Sequence, residues 1–253
     1  MDLRGTRIWV LGASSGIGAA VARRLGREGV EVALSARRVA ALEDVASVIR
    51  GEGGRAHVRP LDVTTDGAVA ATAAALRAEW GAIDAVVYST GISATMSVET
   101  LRIAEIERQM AVNYVGFVRA VGAVLPDMVT RRRGTIVGVA SLAGYRGLPR
   151  GAGYCASKAA MIAFMESLRI DLRPRGVHVL AVNCGFVDTP ILEHVDWPRW
   201  IVTDVETAAG RIVSGLARDA REVHFPRRVS YPYKVIAALP GGAFEALMRW
   251  LPN

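Results

Sequence analysis

Arg7-Ile8-Trp9-Val10-Leu11-Gly12-Ala13-Ser14-Ser15-Gly16-Ile17-Gly18 is the stretch on which the fold turns. An apolar run of strand length ends in a glycine-rich turn, and helical periodicity follows through about Glu28. A strand that stops in a tight turn and opens a helix gathers backbone N–H groups and the positive end of the helix dipole at one point, a ready place for a phosphate. Glycine lets the chain turn sharply and approach a pyrophosphate with no Cβ in the way. The spacing is Gly-x3-Gly-x-Gly at Gly12, Gly16 and Gly18, with Ser14, Ser15 and Ile17 between them. Three glycines alone could serve a plain turn. Their place after the first strand of an alternating array gives them weight.

Outward from this turn the alternation repeats. Apolar runs predict strands at Val30–Ala36, Arg55–Pro60, Ile83–Ser89, Thr135–Ala140, Val177–Val182 and Glu222–Phe225. Helical periods fall between them, at about 40–50, 66–80, 105–131, 154–172 and 203–217. That order specifies βαβ units, and no linker, repeat or low-complexity segment breaks it. The expected fold class is α/β: a Rossmann-type doubly wound parallel sheet of about seven strands with helices on both faces, forming a single domain over 1–253.

Hydrophobic residues make up 51% of the chain and charged residues 22%, enough for a buried core and unlike a disordered segment. The two cysteines, Cys155 and Cys184, form no disulfide framework, and no Cys or His pair stands at metal-ligand spacing, so no metal is expected. The net charge of +7 invites a nucleic-acid reading. Lysine, however, occurs only at Lys158 and Lys234, and every other one of the 31 cations is arginine. Codon bias explains that ratio better than a phosphate-binding face, and Arg131-Arg132-Arg133 reads as a solvated helix end. The N-terminus enters a strand at once without a signal-peptide core, and no uninterrupted apolar stretch reaches roughly 18 residues. A cytoplasmic location is expected.

The second strand ends in Leu34-Ser35-Ala36-Arg37-Arg38. An acid near this point would bind the ribose 2′-hydroxyl of NAD. None is present, and Arg37 and Arg38 could instead grip a 2′-phosphate with paired charge-assisted hydrogen bonds. The expected cofactor is NADP(H). Asp62 could accept from an adenine amino group or serve the turn before Thr64 and Thr65.

Tyr154 and Lys158 stand at i and i+4 in a helical segment, so they share a face. A phenol ionises near ~10 and is a poor proton carrier at neutral pH, but a nearby ammonium favours its phenolate. The pair makes a general acid for a carbonyl oxygen, or a base for the reverse reaction. Ser141 lies just beyond the fifth strand, at the carboxyl end of the sheet where ligands of doubly wound folds bind. Asn113 sits upstream in Met110-Ala111-Val112-Asn113, where a lone asparagine is ordinarily solvated or helix-bending. Cys155, facing away from Tyr154, reads as core packing.

Taken together, Gly12/Gly16/Gly18, Asp62-Val63, Gly91, Asn113, Ser141, Tyr154 with Lys158, and Asn183 with Gly185 and Thr189 resemble the short-chain dehydrogenase/reductase family over essentially the whole chain. The resemblance implies that Tyr154 exchanges the proton and that Ser141 hydrogen-bonds the substrate oxygen. Lys158 would bind the nicotinamide ribose and lower the Tyr154 pKa, Asn113 would hold a water of a proton relay, and Val187 and Thr189 would contact the nicotinamide amide. It also implies a homodimer or homotetramer through the helices around 105–131 and 153–173. The chain departs from the family pattern in three places: Tyr88-Ser89-Thr90-Gly91 replaces Asn-Asn-Ala-Gly, Cys184 replaces a proline, and Leu11 replaces a threonine.

A substrate lid is expected at 190–203, where Ile191, Leu192, His194, Trp197 and Trp200 suit an apolar carbonyl or alcohol or else pack on the protein. The apolar tail 231–253 places Phe244, Leu247, Met248 and Leu251 on one helical face. Docking on the body or an oligomer interface is favoured over membrane contact. The resulting expectation is a ketone or 3-oxo reductase, with a membrane-associated reductase of long-chain oxo-lipids and a non-catalytic NADP(H) sensor as alternatives.

Overall fold

The structure is a computed structural model and describes residues 1–190 and 198–249. Strands β1 (Arg7–Leu11), β2 (Glu31–Ser35), β3 (Arg55–Val58), β4 (Ala85–Tyr88), β5 (Gly134–Ser141), β6 (Val177–Cys184) and β7 (Glu222–Phe225) pair in parallel in the order β3-β2-β1-β4-β5-β6-β7. Side chains of a strand alternate between faces, and on β1 both faces are apolar because both are covered. Ile8 and Val10 enter a core with helices α1 (Gly16–Arg27), α2 (Val39–Gly51) and α7 (Val205–Ala217). Trp9 and Leu11 enter the opposite core with α3 (Ala68–Trp80), α5 (Gly116–Arg131) and α6 (Ala152–Leu172). A strand buried on both sides reads as a continuous hydrophobic run, which is why β1 stood out.

β5 and β6 run further than expected, to Ser141 and Cys184. α3 begins at Ala68 rather than Asp66, because Gly67 takes a left-handed conformation before it. The predicted helix 105–131 starts earlier, as α4 (Ile103–Gln109), and continues into α5 through a wide π turn at Met110–Val115. The whole Ile103–Arg131 helix is long and apolar enough to cross a membrane by length and composition, and 44% of its most apolar window is buried within the protein. Phe117, Val121, Val124 and Met128 pack into the core, so it is built as a core helix.

The tail folds as α8 (Arg227–Ala237) and α9 (Gly241–Met248). Phe244 is buried, with the Arg146 guanidinium 4.5 Å above its ring, and Arg146 Nη1 also donates to the carbonyls of Ala237 and Leu239 at 3.3 Å. Leu247 remains exposed, so the expected apolar face is only partly used. Leu251 lies outside the described residues, as do lid residues Ile191, Leu192, His194 and Trp197. Trp200 is exposed.

Candidate active site

β1 is flanked by β2 on one side and β4 on the other, so the chain winds away in opposite directions from this point. Crevices of open parallel sheets form at such a switch, outside the carboxyl ends of the strands. A cleft of about 970 Å3 opens there.

Its first wall is the glycine turn. Gly12 has φ +88°, and a Cβ on it would stand 2.6 Å from the Thr90 nitrogen and 2.8 Å from the Ser89 oxygen. No other residue allows the turn to touch the loop after β4. Gly18 is held tighter still, since its Cβ would meet the Gly12 oxygen at 2.2 Å. It therefore packs α1 on the turn and does not line the cleft, whereas Ser14, Ser15, Gly16 and Ile17 do. Ser15 is the N-cap of α1 but its side chain makes no capping bond. The first amides of α1, at the positive end of the dipole, suit a pyrophosphate.

Arg37 and Arg38 line the far end with Asp62, Val63 and Ala36. Arg38 Nη2 reaches back to the Ser14 carbonyl at 3.4 Å and to its hydroxyl at 3.3 Å, bracing the phosphate turn. Asp62 Oδ1 accepts from the Thr64 amide at 2.8 Å and its hydroxyl at 2.6 Å, so it builds the turn and lines the cleft together. Burial pushes its carboxyl up, but the Thr64 bonds and the Arg37 charge hold it below its ordinary value.

The opposite wall comes from α6. Tyr154 and Lys158 both face the cleft, with the ammonium 5.7 Å from the centre of the phenol ring. Lys158 is buried and donates to the Val139 carbonyl at 2.9 Å. Burial draws its pKa down to about 8. Burial also pushes the Tyr154 phenol well above its usual value, nearby Cys184 adds to this, and a hydrogen bond with Ser141 opposes it. Loss of solvent is thus the largest influence on the phenol in this structure. Ser141 ends β5 and its hydroxyl accepts the Ala143 amide at 3.2 Å, which fixes the turn (Leu142–Gly144) that follows.

Asn113 lies in the π turn and is fully buried. Its Oδ1 accepts from the Ile92 amide at 2.8 Å, and its Nδ2 donates to the Ile92 carbonyl and the Ser157 hydroxyl, both at 2.9 Å. The side chain therefore ties the loop after β4 to α6 beside Lys158. A Cβ on Gly91 in that loop would come 3.4 Å from Lys158 Nζ. Tyr88, one of the departures from the family pattern, is fully buried and donates its hydroxyl to the Val112 carbonyl inside the π turn. The phenol thus braces the helix that carries Asn113. Gly116 makes room for it, because a Cβ there would lie 2.3 Å from the Tyr88 hydroxyl and 2.9 Å from Val63 Cγ2. Gly116→Ala is expected to cost about 1–3 kcal/mol through overpacking. Urea denaturation measures it, and an unchanged midpoint would show that Tyr88 moves freely.

Thr189 lines the cleft, its methyl group 3.1 Å from where a Cβ on Gly16 would sit. Gly185 and Val187 do not line it. The Gly185 amide donates to the Phe225 carbonyl at 2.7 Å, and Val187 is buried in a bridge to Thr203. Sequence reasoning missed Ser89, Thr90, Ile92 and Ser93 on the loop after β4, along with Arg108 and Cys184, all lining residues. The loop residues carry no charge and no spacing signal, and Arg108 is one arginine among many.

A family profile described as short chain dehydrogenase matches residues 6–199. The chain is 37% identical over 242 residues to an uncharacterized oxidoreductase of Myxococcus xanthus, covering 96% of each protein. It is 30% identical to a fatty acyl-CoA reductase of Acinetobacter baylyi, covering 92% of this chain and 81% of that one. Among solved structures, a short-chain dehydrogenase from Sphingobium yanoikuyae in complex with NADPH superposes with a TM-score of 0.82 at 26% identity, covering 98% and 97% of the two chains.

Proposed function

Because this chain belongs to the short-chain dehydrogenase family of oxidoreductases, we propose that it uses NADP(H) to interconvert a ketone or 3-oxo group and a secondary alcohol on an apolar substrate. The observation that carries the reading is the convergence of Tyr154, hydrogen-bonded to Ser141 behind it, and Lys158 on a cleft whose other end holds a glycine cradle and two arginines. The nicotinamide, when bound, supplies or receives hydride. The Gly12–Ile17 turn and the first amides of α1 hold the pyrophosphate, while Arg37 and Arg38 hold the 2′-phosphate.

At the other end Ser141 donates a hydrogen bond to the substrate oxygen and fixes it near the phenol. Tyr154 gives that oxygen a proton as it becomes an alkoxide, or takes one in the oxidative direction. Lys158 offers N–H donors to the ribose hydroxyls and stabilises negative charge on the phenol. Asn113 keeps the loop after β4 and α6 in register, so the proton group and the cofactor share one frame. The name of the Acinetobacter relative supports a long apolar substrate. The outer faces of α4, the π turn and α6 expose Ile103, Val115 and Ile170, which suits pairing of two copies.

NADPH oxidation is measured against ethyl acetoacetate, 2-decanone and a long-chain 3-oxoacyl ester. Turnover of at least one supports the reading; tight NADPH binding with no turnover would instead make the chain a sensor. NADPH is expected to bind more tightly than NADH by roughly 10²-fold, as one or two hydrogen bonds to a charged phosphate suggest. Arg37→Asp is expected to erase or reverse that preference. Equal affinities in the unaltered chain would overturn the cofactor assignment.

A further inference from the structure

Glu222 on β7 does not line the cleft, yet three other elements meet at its carboxylate. Oε1 accepts from the Tyr145 hydroxyl and from Asn183 Nδ2 at 2.7 Å, and Oε2 accepts from Lys234 Nζ at 2.8 Å. Burial pushes the carboxyl up, but the bonds from Lys234, Tyr145 and Asn183 outweigh it and hold the pKa at about 2. The group is therefore an anion at neutral pH.

Each partner of that anion is close to Ser141 or carries the tail. Tyr145 closes the short turn that Ser141 opens, its amide donating to the Leu142 carbonyl at 3.0 Å. Asn183 is the register partner of Ala140, the residue before Ser141. Lys234 brings in α8, with its ammonium 5.6 Å from the centre of the Tyr145 ring. It is one of only two lysines in an arginine-rich chain, the other being in the cleft. A point-like ammonium suits one carboxylate oxygen beside an aromatic face, where a guanidinium fork seeks two acceptors.

We propose that Glu222 is a positioning residue for Ser141, setting the place of its hydroxyl through Tyr145 and Asn183 while Lys234 latches the C-terminal helix α8 to the same carboxylate. This rests on the role given to Ser141 in the proposed reaction. A displacement of a reacting group by an ångström can cost on the order of 10²-fold in rate, so a bond that fixes one hydroxyl is worth a measurable share of turnover.

The test is a double-mutant cycle on the ketone turned over fastest, with kcat, KM and NADPH affinity measured for the native chain, Tyr145→Phe, Ser141→Ala and the double variant. Tyr145→Phe keeps the ring and loses one hydroxyl; it is expected to lower kcat roughly tenfold with NADPH affinity unchanged. In the Ser141→Ala background the same change is expected to do nothing further, because residues acting through one another are not additive. Glu222→Gln, which keeps an oxygen for Tyr145 and Asn183, is expected to retain more kcat than Glu222→Ala. An equal loss from Tyr145→Phe with and without Ser141, or no loss at all, overturns the inference alone. Full activity in Ser141→Ala overturns the reading of Ser141 and the inference with it.

Discussion

Tyr154→Phe is expected to lower turnover by about 10²–10⁴-fold, the usual contribution of a positioned general acid, while NADPH affinity stays within about twofold of the native value. The change removes one oxygen from a side chain that α6 and the cleft wall already hold in place, so packing is largely kept. It deletes the group that protonates the substrate oxygen and leaves the glycine cradle and Arg37–Arg38 intact. Steady-state kinetics and cofactor titration separate these outcomes. The raised phenol pKa adds a directional expectation. A protonated phenol is the form needed to give a proton, so reduction should proceed well at neutral pH. Oxidation needs the phenolate and should gain as pH rises. Native-like kinetics in the phenylalanine variant would remove Tyr154 from the chemistry.

What could be read in the sequence follows from what is local. The bounds of β1 and β7 were legible to the residue, because short apolar runs there end at glycine, proline or charged neighbours. The Tyr154–Lys158 face was legible from i and i+4 spacing alone. The π turn was not: the apolar period runs through Met110–Val115 without a break, and one extra residue in a helical turn leaves no compositional mark. What braces it is long-range, the Tyr88 hydroxyl donating to the Val112 carbonyl. α8 was hidden by Pro232, which reads as a helix breaker. The helix is held from outside, by the Lys234–Glu222 pair and by a 2.7 Å contact between His224 Nδ1 and the Ser230 hydroxyl. The Glu222 cluster joins positions 145, 183, 222 and 234, and no motif links residues so far apart. The burial of the phenol was hidden for a related reason: spacing reports the neighbouring ammonium, but burial is a property of the folded whole.

Lys158→Met is expected to abolish most turnover and yet stabilise the fold at neutral pH. The ammonium is buried, its acceptors are the Val139 carbonyl and, weakly, the Met161 sulfur at 3.7 Å, and its pKa falls to about 8. Each unit of such a shift costs about 1.4 kcal/mol of stability while the group stays charged. Methionine fills a similar volume without a charge and gives up one hydrogen bond worth about 1 kcal/mol, leaving a net gain of about 2–3 kcal/mol at pH 7. The pH dependence gives the cause away. Between pH 8 and the ordinary lysine value the unfolded chain keeps a proton that the folded chain has released, so native stability rises with pH across that window. The advantage of the methionine variant should therefore be full below pH 8 and shrink steadily above it. Urea midpoints at about pH 7 and about pH 10 measure the gap directly. A native protein that is the more stable at pH 7, or a gap that ignores pH, would mean that Lys158 is solvated or paired in the folded state. An ammonium already neutralised in that way could not be held ready to stabilise negative charge on Tyr154.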